Sequence, residues 1–394
     1  MVADQGMVSP GPGDAGGSPH SVAVEARVAH EPRGRIPPFP KESPASRLET
    51  QRESLEAEGL SAAAAATIGQ GLRQSTKNQY NRKWSYFVRW CKGRNLHPLH
   101  CSVREILDYL ENLAAAGLKF NTIALHVSAL SACLPLLDRN PVGTAPLVTK
   151  WLRGFKAKNP PRRLIVPPWD LTVVLAALRE PPFEPLRDID EKYLSYKIAF
   201  LLAVTSARRV SELQALCSER PYVTQNPWSA ILRINPAFCP KTASESALKG
   251  TLQFQCFPSK VKNAQDHELR KLCPVRAIKI YLERSARYRK DKQFLVAFGK
   301  RSRGQAVSKQ TISRWVSETI RLSYEKMGRD PPVHTNVHST RGVAASWAEI
   351  AQAGLPAICE AGTWSSSQTF ARFYRLDFAG TNVANRILET AGRP

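Results

Sequence analysis

A proline-rich stretch at residues 157–168, A-K-N-P-P-R-R-L-I-V-P-P, divides the sequence into two parts with different patterns. Proline fixes φ and removes a backbone donor, so this stretch is predicted to be an extended connector. Before it, apolar residues recur only at helical spacing; after it, helical patterns alternate with short β patterns. The sequence therefore predicts two folded domains, 61–156 and 169–394, joined by a linker at 157–168.

The first 60 residues are rich in Pro, Gly, Ser, Ala and Glu and poor in large apolar residues. Such a segment buries too little apolar surface to offset its ordering entropy, so residues 1–60 are predicted to be a disordered leader. A run of alanines within Ser61–Thr67 is compatible with a short helix.

The segment up to residue 156 has the pattern of four amphipathic helices. The first helix has an apolar stripe from Tyr80 to Cys91, and the second is predicted at 103–116, with Gly117 ending it. The third is predicted to begin at the cap candidates Asn121 and Thr122, and the fourth spans about 146–156. These helices predict a small bundle. Its exposed faces carry the basic residues Lys77, Arg82, Lys83, Arg153, Lys156 and Lys158, which are candidates for binding a polyanion. The alternative is a plain bundle whose charges only face water.

The second domain is predicted to be mainly α with a small antiparallel β-sheet. Helices are indicated at about 170–179, 190–217, 274–288 and 309–327, and strands at 229–235 and 251–257. The connection between the two strands is a hairpin that holds Lys241 and Lys249.

Charge points to a polyanionic partner. The chain has 56 Lys and Arg against 33 Asp and Glu, a formal net charge of +23, and residues 1–60 hold nine of the acidic residues but only six of the basic ones. The globular part is therefore more basic than the whole chain, and double-stranded DNA is the expected partner. Arg162 and Arg163 in the linker and Arg301 and Arg303 in a Gly-Ser loop are further candidate DNA contacts.

Cysteine usage and hydropathy indicate the compartment. The eight cysteines include no C-x-x-C and lie mostly in apolar runs, which is typical of reduced, buried thiols rather than of a disulfide or zinc framework. No apolar run approaches the ~18–20 residues that a membrane span needs. We expect a soluble intracellular protein without a metal or another cofactor, because the chain offers no convincing carboxylate cluster for one.

Two stretches carry residues suited to attack on a phosphodiester. H-S-T-R places His338 and Arg341 three apart, so on a helix they share one face. After a short apolar link, Trp364 and Tyr374 follow on what should be a turn and the next helix. The upstream stretch T-S-A-R-R-V-S-E-L adds further cations. Two arginines can neutralise both non-bridging oxygens, a lysine can protonate the leaving oxygen, and a tyrosine can form a covalent phosphotyrosine. For the lysine, Lys241 is favoured over Lys249, Lys260 and Lys262 because P-K-T directly follows the first strand.

With these motifs, residues 72–390 of the sequence resemble the tyrosine recombinase (phage integrase) family. The resemblance implies an N-terminal helical core-binding (SAM-like) bundle and a mixed α/β catalytic domain. R-V-S-E-L matches the family's motif around its first catalytic arginine. The match implies that Arg209, rather than Arg208, has this role and that Glu212 supports it. H-S-T-R implies His338 and Arg341, and the later His-or-Trp position is Trp364. The family tyrosine usually falls nine residues on, where Phe373 stands, so the nucleophile is assigned to Tyr374, one residue further.

Within the family, two stretches resemble recombinases of DIRS-like and Ngaro-like retroelements: T-W-S-S-S-Q-T-F-A-R-F-Y and P-A-F-C-P-K-T. This closer resemblance implies that the protein acts for a mobile element and is located in the nucleus. The implied activity is site-specific, metal-independent DNA strand exchange by a homotetramer through a Holliday junction. Two alternatives stay open: a type IB topoisomerase-like enzyme that relaxes DNA, and a recombinase-derived DNA-binding protein that no longer cuts.

Overall fold

The computed structural model describes residues 51–52, 55–56, 59–134, 140–160, 165–241, 250–333, 335 and 337–378. The chain divides into two compact units, Met1–Pro161 and Arg162–Pro394. Most of the predicted leader lies outside the described residues, as do Arg162, Arg163 and Lys249. The described pieces 51–52 and 55–56 are helical, which the prediction of a disordered leader did not include.

The first unit is helical, as its periodicity predicts. Its helices are α1 (Ala62–Gln70), α2 (Gln74–Lys92), α3 (Val103–Ala115), α4 (Phe120–Ser131) and α5 (Pro146–Lys158), with a 3₁₀ turn at Pro98–His100. Local signals set the limits of α3: Ser102 and Glu105 form a capping box, and Gly117 adopts a left-handed conformation just beyond the end. The aromatic residues Trp84, Phe87, Trp90 and Tyr109 pack around one another in the core.

One predicted boundary in this unit is wrong. Helix α4 begins before the cap candidates Asn121 and Thr122, because Lys119 occupies the N-cap position without a side-chain cap bond. Asn121 and Thr122 lie in the first turn instead. Burial of Ile123, Val127 and Leu130 therefore decides where this helix packs, rather than a polar cap.

The second unit combines helices with one small sheet. Its helices are α6 (Leu171–Ala177), α7 (Glu191–Ser206), α8 (Val210–Gln214), α9 (Ala264–Arg270), α10 (Pro274–Ser285), α11 (Lys309–Lys326), α12 (Val337–Ile350), α13 (Leu355–Gly362) and α14 (Ser367–Phe373), with a 3₁₀ turn at Lys300–Ser302. The strands β1 (Val223–Gln225), β2 (Ser229–Arg233) and β3 (Thr251–Gln255) form an antiparallel sheet in the order β1-β2-β3. Ala230 pairs with Phe254 and Leu232 with Leu252, and this register turns alternate side chains into the core.

Five features of this unit differ from the sequence prediction. The helix predicted at 190–217 is broken at Ala207, which has a left-handed backbone (φ 50°), and so becomes α7 and α8. The apolar link after α12 contains the helix α13, strand β1 and helix α9 were not predicted, and Tyr374 follows α14 as its C-cap instead of lying within a helix. Each missed element is short, so its periodicity spans too few residues to stand out.

Helix α7 is the centre of the second unit. It is buried on nearly every side, and both α11 and α12 pack against it. A helix that is apolar all round needs such neighbours to cover it. The helices that carry the candidate site residues are therefore held by the largest core of the molecule. No helix among the described residues is long and apolar enough to cross a bilayer.

Candidate active site

The break between α7 and α8 positions the first arginine. Arg209 is the N-cap residue of α8, and its Nη1 donates to Oε1 of Glu212 at 3.0 Å. Glu212 is buried, whereas the side chain of Arg209 stays 17 % exposed. A continuous helix would point Arg209 elsewhere, so the left-handed turn at Ala207 is what lets this guanidinium reach the candidate site.

Its neighbour Arg208 has a different environment. Arg208 is buried, its Nη2 donates to the carbonyl oxygen of Thr251 in β3 at 3.2 Å, and its Nη1 lies 3.7 Å from Oε2 of Glu212. Burial lowers its pKa, while Glu212 opposes the shift. Arg208 therefore ties the turn to the sheet, and Arg209 is the arginine of the pair that is open to a ligand.

Helix α12 carries His338 and Arg341 one turn apart on one face. Arg341 is 1 % exposed, and its Nη2 donates to the carbonyl oxygen of Gly362 at 2.7 Å. Its Nε and Nη1 are also buried, and among the described residues they have no hydrogen-bond partner. Buried donors of a cation are costly to leave unpaired, so this guanidinium is preorganised for an anionic ligand.

The aromatic residues complete the cluster around Arg341. The Cζ of Arg341 lies 4.9 Å from the ring centroid of Trp364 and 5.1 Å from that of Tyr374. The centroids of Trp364 and Tyr374 are 4.6 Å apart, and those of His338 and Tyr374 are 5.4 Å apart. Trp364 is buried with its Nε1 unpaired within the described part of the chain, whereas Tyr374 is only half-buried.

Two glycines allow this close packing. A Cβ added at Gly362 would overlap Cζ3 of Trp364, and one added at Gly342 would lie 2.9 Å from the carbonyl oxygen of Tyr374. Only glycine lets the Trp364 ring lie against residue 362 and the Tyr374 backbone against α12. The glycine directly after Arg341 thus belongs to the site through the backbone of the tyrosine.

The charges of these groups act on one another. Partial desolvation by its neighbours lowers the pKa of His338 although its surface is exposed, and the cations Arg341, Arg209 and Lys241 lower it further. Burial also lowers the pKa of Arg341 to about 10; Arg209 adds to this shift, and Tyr374 and Glu212 oppose it. Tyr374 is thus near enough to affect Arg341 without hydrogen-bond geometry to its Nε or Nη1. At neutral pH Arg341 stays a cation and His338 stays largely neutral.

Among the hairpin lysines, Lys241 is near enough to His338 to influence its pKa. Lys241 is exposed, as are Lys260 and Lys262, and residues 242–249 of the hairpin lie outside the described part of the chain. The general-acid role of Lys241 remains a prediction.

The candidate DNA-binding residues divide by environment. Lys77 and Lys83 are half-buried, and burial, together with Arg82, lowers the pKa of Lys83. The exposed members are Arg82, Arg153, Lys156, Lys158, Arg301 and Arg303. Arg303 is already engaged, because its Nη2 lies 2.6 Å from Oε1 of Glu191 and its guanidinium lies over the Tyr288 ring. Their part in binding DNA remains a prediction.

The hydroxyl residues Ser365, Ser366 and Ser367 lie at the start of α14. Ser366 occupies the N-cap position, but its side chain makes no cap bond to the backbone; its Oγ lies 3.2 Å from Oγ1 of Thr369. Sequence reasoning also gave no role to Thr363, which is fully buried and accepts a hydrogen bond from Nη1 of Arg209 at 3.0 Å. Within the described residues, no group of three or more His, Cys, Asp or Glu side chains could hold a metal ion.

No protein-family model matches the sequence, and no match is found among curated proteins. Solved structures of integrases do share the fold. A fragment of lambda integrase, solved as a dimer bound to a COC′ core site, is 17 % identical with a TM-score of 0.50, covering 86 % of this chain and 96 % of that chain. The Tn1549 transposon integrase in complex with transposon right end DNA is 14 % identical with a TM-score of 0.51, covering 88 % and 100 %.

The same Tn1549 integrase in complex with a circular intermediate DNA is 11 % identical with a TM-score of 0.50, covering 87 % of this chain and 99 % of that chain. This chain therefore shares the fold of these integrases, the tyrosine recombinase fold: mainly helical, with a small three-stranded antiparallel sheet in the second unit. The predicted fold class is confirmed.

Proposed function

We propose that this protein is a tyrosine recombinase that cleaves and rejoins DNA through a covalent phosphotyrosine on Tyr374. The observation that carries the proposal is the convergence of Arg209, Arg341 and the phenol of Tyr374 around the 362–364 turn. The three residues come from separate parts of the sequence, so local structure alone gives no reason for them to meet. The similarity of fold to DNA-bound integrases supports the same activity.

In the proposed reaction, Arg209 and Arg341 bind the two non-bridging oxygens of the scissile phosphate. The Tyr374 oxygen attacks phosphorus while neutral His338 accepts the phenolic proton. As the P–O5′ bond breaks, Lys241 protonates the leaving 5′ oxygen. The indole Nε1 of Trp364 is a further donor to the phosphate. The new phosphotyrosine ester keeps the energy of the broken bond, so the reverse attack by a 5′ hydroxyl rejoins DNA without ATP.

Contacts within the same chain hold Tyr374 next to Arg341. The Leu376 N–H donates to Oγ of Ser346 at 2.8 Å, and Nε of Arg375 donates to Oε2 of Glu349 at 3.0 Å, so the segment after the tyrosine is attached to α12. We therefore propose that each protomer supplies the nucleophile to its own arginines. Mixing Arg341→Ala protein with Tyr374→Phe protein should then form no adduct, whereas donation between protomers would restore it.

Incubation with a nicked suicide duplex tests the function. Wild-type protein should form a covalent adduct that resists denaturation, and Tyr374→Phe should form none. Tyr193→Phe, a change in another half-buried tyrosine of the same unit, is the matched control and should keep the adduct. If wild-type protein forms no adduct on any candidate site, the protein is a recombinase-derived DNA-binding protein rather than an enzyme.

Changing the leaving group of the substrate tests whether Lys241 is the general acid. Lys241→Ala should lose cleavage of a normal 5′ oxygen but keep cleavage of a 5′-thio leaving group, which needs no proton. The matched variant Lys249→Ala should cleave both substrates. If the thio substrate instead rescues Lys249→Ala, the acid is Lys249.

We also propose that the protein exchanges strands between two DNA duplexes. Four protomers on two duplexes would exchange strands through a Holliday junction, with Lys77, Arg82, Lys83, Arg153, Lys156, Lys158, Arg162, Arg163, Arg301 and Arg303 as candidate DNA contacts. Two duplexes carrying the site should yield recombinants, whereas relaxation of supercoils on any sequence by a monomer would favour a topoisomerase. Binding should weaken steeply with salt, because phosphate contacts release counterions. Origin from a DIRS-like or Ngaro-like mobile element and a nuclear location belong to the same proposal.

A further inference from the structure

We infer that Thr363 is a positioning residue for both arginines of the candidate site, an inference that rests on the proposed function. Its hydroxyl accepts a hydrogen bond from Nη1 of Arg209 at 3.0 Å and donates one to the carbonyl oxygen of Gly362 at 2.7 Å. That same carbonyl oxygen accepts from Nη2 of Arg341 at 2.7 Å. One hydroxyl and one carbonyl therefore connect two guanidinium groups that lie 132 positions apart in the sequence.

The hydroxyl makes one donated and one accepted hydrogen bond. Its single hydrogen is donated to the Gly362 carbonyl, with Oε1 of Glu212 as a longer alternative at 3.4 Å. One of its two lone pairs accepts from Nη1 of Arg209. Thr363 is 0 % exposed, so its side chain contacts protein groups rather than bulk solvent. A change of this side chain therefore alters the arginine contacts directly.

The backbone of Thr363 indicates that the side chain is kept for this contact. Thr363 is the C-cap of α13 in a left-handed conformation with φ 54°, and its N–H and that of Trp364 close the helix end by bonding Glu360 and Cys359. Glycine is the usual residue in this conformation, and a β-branched residue there is strained. Strained residues persist where the surrounding structure and its task require them.

Three consecutive residues thus each hold a different group of the site. The Gly362 carbonyl holds Arg341, the Thr363 hydroxyl holds Arg209, and the Trp364 ring lies against Tyr374 with centroids 4.6 Å apart. Helix α13 and its left-handed cap therefore act as a template that sets the distance between the two arginines. That distance decides whether both can bind the oxygens of one phosphate.

The test compares stability and cleavage in Thr363→Gly and Thr363→Ser. Thr363→Gly relieves the backbone strain but loses the buried hydroxyl and methyl group, so its melting temperature should fall only modestly, while adduct formation at matched folded concentration slows by roughly 10- to 100-fold. Thr363→Ser keeps the hydroxyl and should form adduct within about threefold of the wild-type rate. A residue with a purely structural role would lose or gain stability and cleavage together.

A substrate with an uncharged phosphate separates action through the arginines from other effects. On a duplex whose scissile phosphate is a methylphosphonate, the arginines neutralise less charge, so the defect of Thr363→Gly relative to wild type should shrink. Wild-type cleavage by Thr363→Gly, failure of Thr363→Ser to restore cleavage, or an unchanged defect on the methylphosphonate would each overturn the inference. In those cases wild-type protein still forms its adduct, so the proposed function stands; absence of the wild-type adduct is the separate result that ends the proposed function.

Discussion

Each unit of the molecule places a histidine beside a tyrosine; the pair in the first unit is buried, whereas in the second unit the histidine is exposed and the tyrosine half-buried. In the first unit, the Tyr109 hydroxyl lies 2.7 Å from Nδ1 of His126, and both residues are almost fully buried. Burial lowers the pKa of His126 to about 3, with a smaller contribution from Lys83. The histidine is therefore neutral, and its contact with Tyr109 contributes to a closed core.

In the second unit, His338 and Tyr374 are also close, but the cluster is left incomplete. Arg341 has two buried donors and Trp364 has one that no described residue accepts, and Tyr374 keeps part of its surface exposed. Complete pairing stabilises a fold, whereas donors left unpaired beside an open phenol are available to a ligand.

The first core also leaves the indole Nε1 atoms of Trp84 and Trp90 without a partner among the described residues. The candidate active site differs because its unpaired donors include those of a cation, Arg341, and lie beside a partly exposed phenol.

The largest expected effect comes from removing one hydroxyl from each pair. Tyr374→Phe should lower adduct formation by at least about 10⁴-fold, because phenylalanine has no nucleophile. Tyr109→Phe should leave adduct formation by folded protein within about twofold and lower the free energy of unfolding by about 1–2 kcal/mol, because Nδ1 of His126 loses its partner. Adduct assays and urea unfolding of both variants measure this; loss of adduct in folded Tyr109→Phe would break the comparison.

The second prediction contrasts two buried cations. Lys197 is 0 % exposed, and its Nζ donates to the Leu178 carbonyl oxygen and to Glu184, which also pairs with Arg276. Lys197→Met should cost about 3–5 kcal/mol of stability and leave cleavage by folded protein unchanged. Arg341→Met should slow adduct formation by about 10²–10³-fold and change stability by less than about 1 kcal/mol, because most of its donors are unpaired.

Denaturant titrations and adduct rates at matched folded concentration give both quantities. A large stability loss in Arg341→Met, with cleavage retained, would assign Arg341 to the core rather than to the site.

The third prediction concerns the pH dependence of cleavage. His338 accepts a proton only when neutral, and its pKa is lowered by partial desolvation and by Arg341, Arg209 and Lys241. The rate should therefore fall about tenfold per pH unit only below a midpoint lying under ~6.5. Lys241→Met removes one of these cations and should move the midpoint to higher pH, measured on the 5′-thio substrate so that loss of the acid does not limit the rate. A midpoint that stays put, or moves to lower pH, would exclude His338 as the acceptor.

The smallest expected effect is the pH dependence of stability from His126. Its folded pKa of about 3 lies below the ordinary value of 6.5, so the unfolded chain binds more protons between these values. Stability should rise with pH across that window and be lost as pH falls, with a slope of at most about 1.4 kcal/mol per pH unit. His126→Phe should flatten the slope in thermal unfolding, whereas His97→Gln, at an exposed position, should not. Equal slopes in wild type and His126→Phe would show that the histidine is not held neutral.

Several elements could be predicted from local pattern alone. Helices α2, α3 and α5, the limits of α3 and the β2–β3 pairing follow from periodicity, caps and β-branched residues, each of which acts over a few neighbouring positions. The motif R-V-S-E-L also distinguished Arg209 from Arg208, a choice consistent with the burial of Arg208 against β3. The candidate residues could be proposed for the same reason, because their spacing within each motif is local.

The contacts between motifs could not be predicted in this way. Three features leave no periodic signal in the sequence: the helix break at Ala207, the helix α13 in the apolar link, and the hydroxyl of Thr363 between two arginines. Each of them is stabilised by residues distant in the sequence. The sequence by itself determined which segments become helix or strand and which residues are available for phosphate chemistry. Only the tertiary structure decided which of their polar atoms are paired, because hydrogen-bond satisfaction in a core depends on what packs against each group from the rest of the chain.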